Sequence, residues 1–279
     1  MPESALYIVA TPIGNLQDFT PRAIETLNNV HLIAAEDTRH SARLMAHFNI
    51  NTPLISVHEH NERQRVDRIL QHLQQGESVA LISDAGTPVI SDPGFVVVRA
   101  VREAGFRVVP VPGCVAFVTA LCASGLPSDR FSFEGFPPHK SSGRKQFYAE
   151  RSGLPHTLVF YESPHRVLSS IEDMIEVFGG ERRAAVAREL TKTFETIHSA
   201  TLAELQVWMA SDSNQQRGEF VLMVEGAPPV ENDGLDEEAL KVLDILLAEL
   251  SVKQASALAA QITGVKKKLL YQAALERKS

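Results

Sequence analysis

The chain has 279 residues, of which 44% are hydrophobic and 22% charged, and its net charge is −7 at pH 7. This composition is that of an ordinary globular protein with room for two modest domains. No run approaches the roughly 18 uninterrupted apolar residues of a membrane span, and the N-terminal Met-Pro-Glu-Ser lacks the basic region of a signal peptide.

The first part of the chain alternates predicted strands and helices. The predicted strands are Tyr7–Ala10, His31–Ala35, Pro53–Val57, Val79–Ile82 and Arg107–Pro110. The predicted helices run from Thr20-Pro21 to about Asn29, through Met45, from about Asn61 to Gly76, over Val96–Ala104, and from Pro112-Gly113 to near Gly125. Five strands separated by helices predict a mostly parallel sheet covered on both faces.

A second α/β part follows the turn at Leu126–Asp129. Its predicted strands are Phe131–Glu134, Leu158–Tyr161, Ala184–Ala187, Glu195–Ile197 and Glu219–Glu225. One helix ends at Gly179-Gly180, and Thr201 with Glu204 predicts a capping box for another. Segment 137–145 is rich in proline, serine and basic residues, which predicts a mobile basic loop.

The last part of the chain is predicted to be helical, after a Pro-rich and acidic linker. The predicted helices are Asp236–Leu250, Val252–Ile262 and Lys266–Glu276, with a second capping box at Ser251 and Gln254 and a tight turn at Gly264. Acidic residues dominate up to Glu249, and basic residues dominate from Lys253 onward. One interpretation is a helix-turn-helix whose basic helix binds a polyanion. The alternative is a three-helix packing unit in which the basic residues form a solvated face.

The segment VALISDAGTPVISDPG, residues 79–94, is the most informative stretch. It joins a predicted buried strand to a helix through a loop with two glycines, two prolines, Asp84 and Asp92. In open α/β folds, ligands bind at this edge of a parallel sheet. A rigid turn that caps the next helix is the alternative interpretation. Similar polar clusters follow other predicted strands at 11–15, 36–39, 58–62, 162–166 and 188–192. Together they predict a cleft lined by strand ends at a domain interface.

Several common sites are not indicated by the sequence. The chain has no GxGxxG after its first strand, no GxxxxGK[ST] and no GxSxG, which argues against a Rossmann dehydrogenase, a P-loop NTPase and an α/β-hydrolase. His58 and His60 could share one face of a strand end, but no third ligand stands at a recognisable spacing, so no metal is expected. Cys114 and Cys122 match neither a disulfide nor a zinc pattern, which favours the reducing cytoplasm.

Six ordered motifs carry a resemblance to a known family. They are TPIGN (11–15), AEDTR (35–39), SDAGTPVISDPG (83–94), VPGCVAFVTAL (111–121), YESPHR (161–166) and ARELTKTFE (187–195). The chain resembles the tetrapyrrole-methylase-like, class III S-adenosylmethionine-dependent methyltransferases, and within them the branch that acts on small-subunit ribosomal RNA. The resemblance covers nearly the whole chain. It implies two α/β domains with the cofactor, S-adenosylmethionine, in the cleft between them, a homodimer, and 2′-O-methylation of a cytidine in the decoding region of 16S ribosomal RNA.

The resemblance also implies site residues. The cofactor-binding residues would be Pro12, Asp84, Ala85, Gly86, Thr87, Ala116, Phe117, Tyr161, Leu190, Gly218 and Glu219. At the motif positions Asp37 is a candidate base and Arg39 and Lys192 are candidate electrostatic partners, although Asp37 and Arg39 could simply form an ion pair that holds the loop. Candidate contacts to RNA phosphates are Lys140, Arg144, Lys145, Lys253, Lys266, Lys267 and Lys268.

The expected organisation is thus an N-terminal α/β domain (1–117), a second α/β domain (118–230) and a helical RNA-contacting unit (231–279). Two other functions stay open. One is the same chemistry on a tetrapyrrole or another small molecule, which would need neither the basic segment nor the helical tail. The other is a non-catalytic RNA-binding protein that keeps the fold, which binding of S-adenosylmethionine would distinguish.

Overall fold

In the computed structural model the chain forms two units, Met1–Gly226 and Ala227–Ser279. The structure describes residues 4–58, 61–228, 235 and 237–278. His60, most of the acidic linker and Asp236, each named in the sequence predictions, lie outside the described residues.

The first sheet is parallel throughout, as the sequence predicts. Its strands, in the order β3-β2-β4-β1-β5, are β1 (Ala5–Val9), β2 (Leu32–Ala35), β3 (Leu54–Ser56), β4 (Val79–Ile82) and β5 (Arg107–Val111). The helices between them are α1 (Pro21–Asn29), α2 (Thr38–His47), α3 (Glu62–Gln74) and α4 (Phe95–Glu103). All predicted strands of this half are confirmed to within about two residues.

Helices cover both faces of this sheet. On one face, side chains such as Val9 and Ile33 pack under α1 and α2. On the other face, Leu6 and Leu32 pack under α3 and α4. Because successive side chains of a strand point to opposite faces, a strand covered on both sides must be apolar at every position. This requirement explains the continuous apolar runs of β2 and β4, all of whose residues are buried.

The second sheet is mixed, with strand order β6-β7-β10-β8-β9. Its strands are β6 (Phe131–Gly135), β7 (Thr157–Glu162), β8 (Arg183–Arg188), β9 (Thr196–Thr201) and β10 (Phe220–Val224). Its helices are α5 (Ala116–Ser124), α6 (Ser141–Ala149), α7 (Val167–Phe178) and α8 (Leu202–Ser211). Only β6 and β7 pair in parallel; the other neighbours in this order are antiparallel. The predicted capping box of Thr201 and Glu204 is present at the start of α8.

Helix α5 belongs by its packing to the second sheet. Its Ala120 and Leu121 pack with Val159 and Val221 on the face opposite to α6, α7 and α8. The predicted domain boundary between residues 117 and 118 therefore falls inside α5, close to its beginning.

The mobile basic loop predicted around residues 140–145 is wrong, because Ser141–Ala149 forms α6. Arg144 is buried, and its Nε donates to Oδ2 of Asp173 on α7 at 2.7 Å. Ser141 donates to the other carboxylate oxygen at 2.7 Å, and a second nitrogen of Arg144 donates to the carbonyl of His139 at 3.0 Å. Arg144 is thus committed to an internal ion pair and is not available to an RNA phosphate.

The C-terminal unit consists of α9 (Glu237–Glu249), α10 (Val252–Thr263) and α11 (Lys267–Lys278). Gly264, with a φ of 73°, forms the predicted turn between α10 and α11. The prediction of a second capping box is wrong. The Ser251 hydroxyl donates to the Gln254 side-chain oxygen at 2.8 Å and caps no backbone group. Within the described part of the chain, no helix is both long and apolar enough to cross a bilayer.

We expect Asp173→Ala to lower the free energy of unfolding by about 3–5 kcal/mol, since it leaves the buried Arg144 guanidinium uncompensated. Urea unfolding measures the change. Replacing both partners by apolar residues, Arg144→Met with Asp173→Leu, should recover much of the loss. Lys145→Ala is the matched control, because this half-exposed side chain pairs mainly with Glu176 on the surface. An Asp173→Ala protein as stable as Lys145→Ala would contradict the assignment.

Candidate functional site

The ends of strands from both sheets meet around one cleft. From the first sheet come the loops after β1 and β4 and, after β2, helix α2. From the second sheet come the loops after β7 and β8. Residues 218–219 precede β10, which runs antiparallel to β7 and β8, so the beginning of β10 lies beside their ends. The predicted cleft at strand ends is confirmed, but no described residue of the predicted clusters at 36–39 and 58–62 lines either of its two cavities.

Two adjoining cavities occupy this cleft. The first cavity has a volume of about 380 Å³, and seven predicted cofactor residues line it: Ala85, Gly86, Thr87, Ala116, Tyr161, Leu190 and Glu219. The second cavity has a volume of about 410 Å³ and is lined by the predicted Pro12, Asp84 and Lys192. The two share Ile13, Ala85 and Glu219. Phe117 and Gly218 line neither: Phe117 stacks on Phe133, with ring centroids 4.4 Å apart.

Backbone hydrogen bonds hold the loop after β4 against the loop after β1. The Thr11 N–H donates to the Gly86 carbonyl at 2.8 Å, and the Gly86 N–H donates back to the Thr11 carbonyl at 3.1 Å. Gly86 has a φ of +86°, a left-handed conformation that glycine adopts without a steric penalty. Thr87 donates its hydroxyl to the carbonyl of Cys114 at 3.0 Å, which fixes the loop to the segment before α5. The wall at residues 85–87 is therefore rigid.

The loop after β8 is strained and tightly held. Glu189 and Thr191 have φ values of 51° and 65°, which non-glycine residues rarely adopt and which concentrate at functional sites. The Glu189 carboxylate accepts the Glu219 N–H at 3.0 Å. The Thr191 hydroxyl oxygen accepts the Asn15 N–H from the first sheet's loop at 3.0 Å. These bonds hold Leu190 in the wall of the first cavity.

Lys192 lies between two carboxylates. Its Nζ donates to Glu189 at 2.9 Å and to Glu219 at 3.0 Å. Burial lowers the pKa of Lys192, but the hydrogen bonds to both carboxylates outweigh burial, and the net pKa is raised. Lys192 is therefore a cation held in the wall of the second cavity, paired with Glu219, which lines both cavities. This position fits the predicted electrostatic role but leaves that role a prediction.

Asp37 and Arg39 form the ion pair that the sequence left open. Asp37 caps α2 by accepting the Arg39 N–H at 2.8 Å, and its carboxylate lies 3.3 Å from the Arg39 guanidinium. These hydrogen bonds lower the pKa of Asp37. Neither Asp37 nor Arg39 is among the described residues that line the two cavities. This geometry fits the alternative in which the ion pair holds the loop, and catalysis by either residue stays a prediction.

Three acidic side chains lie near one another in the cleft: Asp92 lines the first cavity, Asp84 lines the second, and Glu36 lies close enough to affect the pKa of Asp92. Asp84 accepts the Asp37 N–H at 3.1 Å. Burial raises the pKa of Asp92 to about 6, a hydrogen bond from Ser83 lowers it, and the nearby charges of Glu36 and Asp84 raise it further. Burial, with the charge of Asp84, also raises the pKa of Glu36. Asp92, whose role the sequence did not define, is thus an ionisable group in the cavity wall.

Sequence reasoning missed several cavity residues, among them Ile13, Ile90, Phe136 and Pro164. Ile13, Ile90 and Pro164 lie inside the motifs at 11–15, 83–94 and 161–166. Their position after predicted strands could therefore have identified them as cavity residues. Phe136 follows β6, is 55% exposed, and packs against Tyr161 with ring centroids 5.5 Å apart. Val89 and Ser91, with φ values of 76° and 61°, add strain to the same wall.

The remaining predicted residues lie elsewhere. Lys140 is exposed at the beginning of α6. The other candidate RNA contacts, on the C-terminal unit, are exposed residues: Lys253, Lys266, Lys267 and Lys268. The imidazole Nε2 of His58 lies 3.0 Å from the Asn61 amide nitrogen at the beginning of α3. Among the described residues, no group of three histidines, cysteines or carboxylates could hold a metal ion.

Two protein families match this chain. The tetrapyrrole (corrin/porphyrin) methylases match residues 5–206, and the RsmI C-terminal HTH domain matches residues 233–278. The chain is 61% identical to ribosomal RNA small subunit methyltransferase I of Pseudomonas aeruginosa, over 99% of both chains. It is 55% identical to the protein of that name from Escherichia coli O157:H7, over 99% of this chain and 96% of the other.

Solved structures share the fold. Uroporphyrin-III-C-methyltransferase from Thermus thermophilus superposes with a TM-score of 0.55 at 22% identity, covering 80% of this chain and 94% of that one. Diphthine synthase gives a TM-score of 0.61 at 12% identity, covering 80% and 90%. The predicted fold class is confirmed: two α/β sheets with a cleft between them, followed by a C-terminal helical unit.

We expect Asp92→Asn to stabilise the protein at pH 7.5 but not below about pH 4. A carboxyl whose pKa is higher in the folded state than its usual 3.8 contributes stability at low pH that is lost as pH rises through about 6. The asparagine cannot ionise, so it should gain on the order of 1–3 kcal/mol at pH 7.5 relative to wild type. The upper figure corresponds to about 1.4 kcal/mol for each pKa unit, and solvent screening of this partly exposed carboxylate lowers it.

Urea unfolding at pH 4 and pH 7.5 measures this difference. Asp67→Asn on α3 is the control, since that carboxylate is exposed and outside the cleft. An Asp92→Asn effect of equal size at both pH values would show that burial does not strain this carboxylate.

Proposed function

Since the chain belongs to the tetrapyrrole methylase family and carries the C-terminal domain of its ribosomal RNA branch, we propose that it is an S-adenosylmethionine-dependent methyltransferase. We propose small-subunit ribosomal RNA as its substrate, with the 2′-hydroxyl of a cytidine in the decoding region of 16S RNA as methyl acceptor. The full-length similarity to relatives named ribosomal RNA small subunit methyltransferase I supports the RNA substrate. The dimer and the cytoplasmic location belong to the same proposal.

The first cavity is the observation that carries this proposal. Its volume of about 380 Å³ lies in the range of small-molecule sites, about 300–1,000 Å³. Apolar side chains such as Ile13, Ile90 and Leu190 offer contacts for a nucleobase. The carboxylates of Asp92 and Glu219 offer acceptors for ribose hydroxyls and compensation for a cationic sulfonium. The residues present therefore fit S-adenosylmethionine.

The chain's own residues have three tasks in such a transfer. When bound, S-adenosylmethionine supplies an activated methyl group on a sulfonium. The rigid walls at residues 85–87 and 189–191 orient the reactants, and alignment of this kind supplies several kcal/mol of barrier lowering. Asp92, with a pKa of about 6, is ionised at neutral pH and can accept the proton that the ribose hydroxyl releases. Lys192, in the wall of the adjoining second cavity, would supply a cation that stabilises the developing alkoxide.

Methyl transfer tests the proposed function directly. We expect methyl-labelled S-adenosylmethionine to label 16S RNA in 30S particles, and nucleoside digestion to recover the label as 2′-O-methylcytidine. Label in a modified base, or in an added uroporphyrinogen and not in RNA, would contradict the RNA 2′-O assignment. Binding of S-adenosylmethionine without transfer to any of these acceptors would favour a non-catalytic role.

A variant that fills the first cavity tests the site. We expect Ala116→Trp to weaken S-adenosylmethionine binding at least tenfold by calorimetry, because residue 116 lines this cavity. Val118→Trp is the matched control, since Val118 lies on the same helix but is 41% exposed and outside the lining. Equal affinities of the two variants would show that the cofactor binds elsewhere.

A further inference from the structure

The second cavity has a different character from the first. The segment after β1, from Pro12 to Leu16, forms part of its wall, and α2 forms another part. Because it shares Ile13, Ala85 and Glu219 with the first cavity, a ligand that fills it lies directly beside the proposed cofactor. Its size and place suit the part of a substrate that flanks the reacting group.

Three basic or ionisable side chains of α2 point into this cavity: His40, Arg43 and His47. Residues three and four apart on a helix are neighbours on one face, so spacings of 40, 43 and 47 place these side chains in a row. All three residues are exposed. Helix α2 packs its opposite, apolar face on the first sheet through Met45, so the row cannot turn inward.

The guanidinium of Arg43 forms no ion pair with any described residue, unlike the other cations nearby. Arg39 pairs with Asp37, and Lys192 is held by Glu189 and Glu219. The lining also contains two carboxylates: Asp84 already accepts a backbone N–H, and Glu219 already accepts Lys192. Among the described residues, none forms an ion pair with Arg43. An unpaired arginine beside a ligand cavity fits a planar anion such as a phosphate.

We propose that the α2 row, His40, Arg43 and His47, binds the phosphodiester backbone of the RNA substrate next to the nucleotide that reaches the first cavity. This inference rests on the proposed function. An enzyme that modifies one nucleotide of an RNA must hold the flanking backbone in register, and phosphate contacts provide that registration. The apolar surfaces of Leu16, which is 41% exposed, and Leu44 complete the cavity with surface suited to a ribose or base.

Binding to 30S particles at several salt concentrations tests this proposal with the full-length protein. We expect Arg43→Ala to weaken binding about threefold to tenfold at 0.1 M salt. The slope of log K against log salt should decrease by about 0.7–0.9, the value for one lost phosphate contact. Arg43→Lys should keep the slope, since it keeps the charge. His40→Gln with His47→Gln should weaken binding further when combined with Arg43→Ala.

A matched control separates this surface from general charge. Arg68→Ala on α3 removes one exposed arginine from the opposite face of the first sheet, and we expect wild-type binding and slope. S-adenosylmethionine affinity should be unchanged in Arg43→Ala, and the KM for RNA should rise while kcat stays within about twofold of wild type.

Each result decides between the two proposals. If wild type shows no salt-dependent binding to 30S particles or to 16S RNA, the proposed function and this inference both fail. If wild type binds but Arg43→Ala and the histidine double variant behave like Arg68→Ala, only this inference is overturned. It is also overturned if Arg43→Ala weakens binding of S-adenosylmethionine. The same holds if Arg43→Ala weakens binding of an acidic tetrapyrrole and leaves RNA binding unchanged.

Discussion

The contact between the loop after β1 and the loop after β8 is the constraint on which the cleft depends. Gly14 lies so close to the second sheet's loop that an added Cβ would stand 2.5 Å from Lys192 Cγ and 2.8 Å from Thr191 Oγ1. The hydrogen bond from the Asn15 N–H to Thr191 fixes this approach. Any other residue at this position would force Lys192 and Thr191 to move. The contact brings strand ends of two different sheets to one place, which neither sheet could supply alone.

The chemistry follows from that junction. Leu190 and the residues at 85–87 become opposite walls of one cavity because their loops are held together through residues 11–15. The strain at Glu189 and Thr191 is offset by hydrogen bonds from Glu219 and Asn15, so a costly backbone conformation persists where the site needs it. Partial burial of Asp92 in the cavity wall raises its pKa into the range of a useful proton acceptor.

Local patterns predicted much of the fold and of the first cavity. Buried parallel strands leave continuous apolar runs, and loops at their ends leave glycines and aspartates, so both were visible at Val79–Gly94. The missed features depend on distant partners. Arg144 looked like a loop cation because its neighbours are polar, and only Asp173, 29 residues away, makes it a buried ion pair. The spacing of His40, Arg43 and His47 is present in the sequence, but the cavity beside them exists only after the two sheets meet.

Hydrogen exchange with and without S-adenosylhomocysteine tests most directly whether the cofactor site is shared between the two sheets. Ligand binding should slow amide exchange in three segments: residues 84–87 after β4 of the first sheet, and residues 189–192 after β8 and 218–220 at the beginning of β10 of the second sheet. The loop after β1 joins these segments, because Thr11 bonds to Gly86, Asn15 bonds to Thr191, and Glu189 bonds to the Glu219 N–H. Slowed exchange in the loops of one sheet only, with the other sheet's loops unchanged, would contradict a shared site.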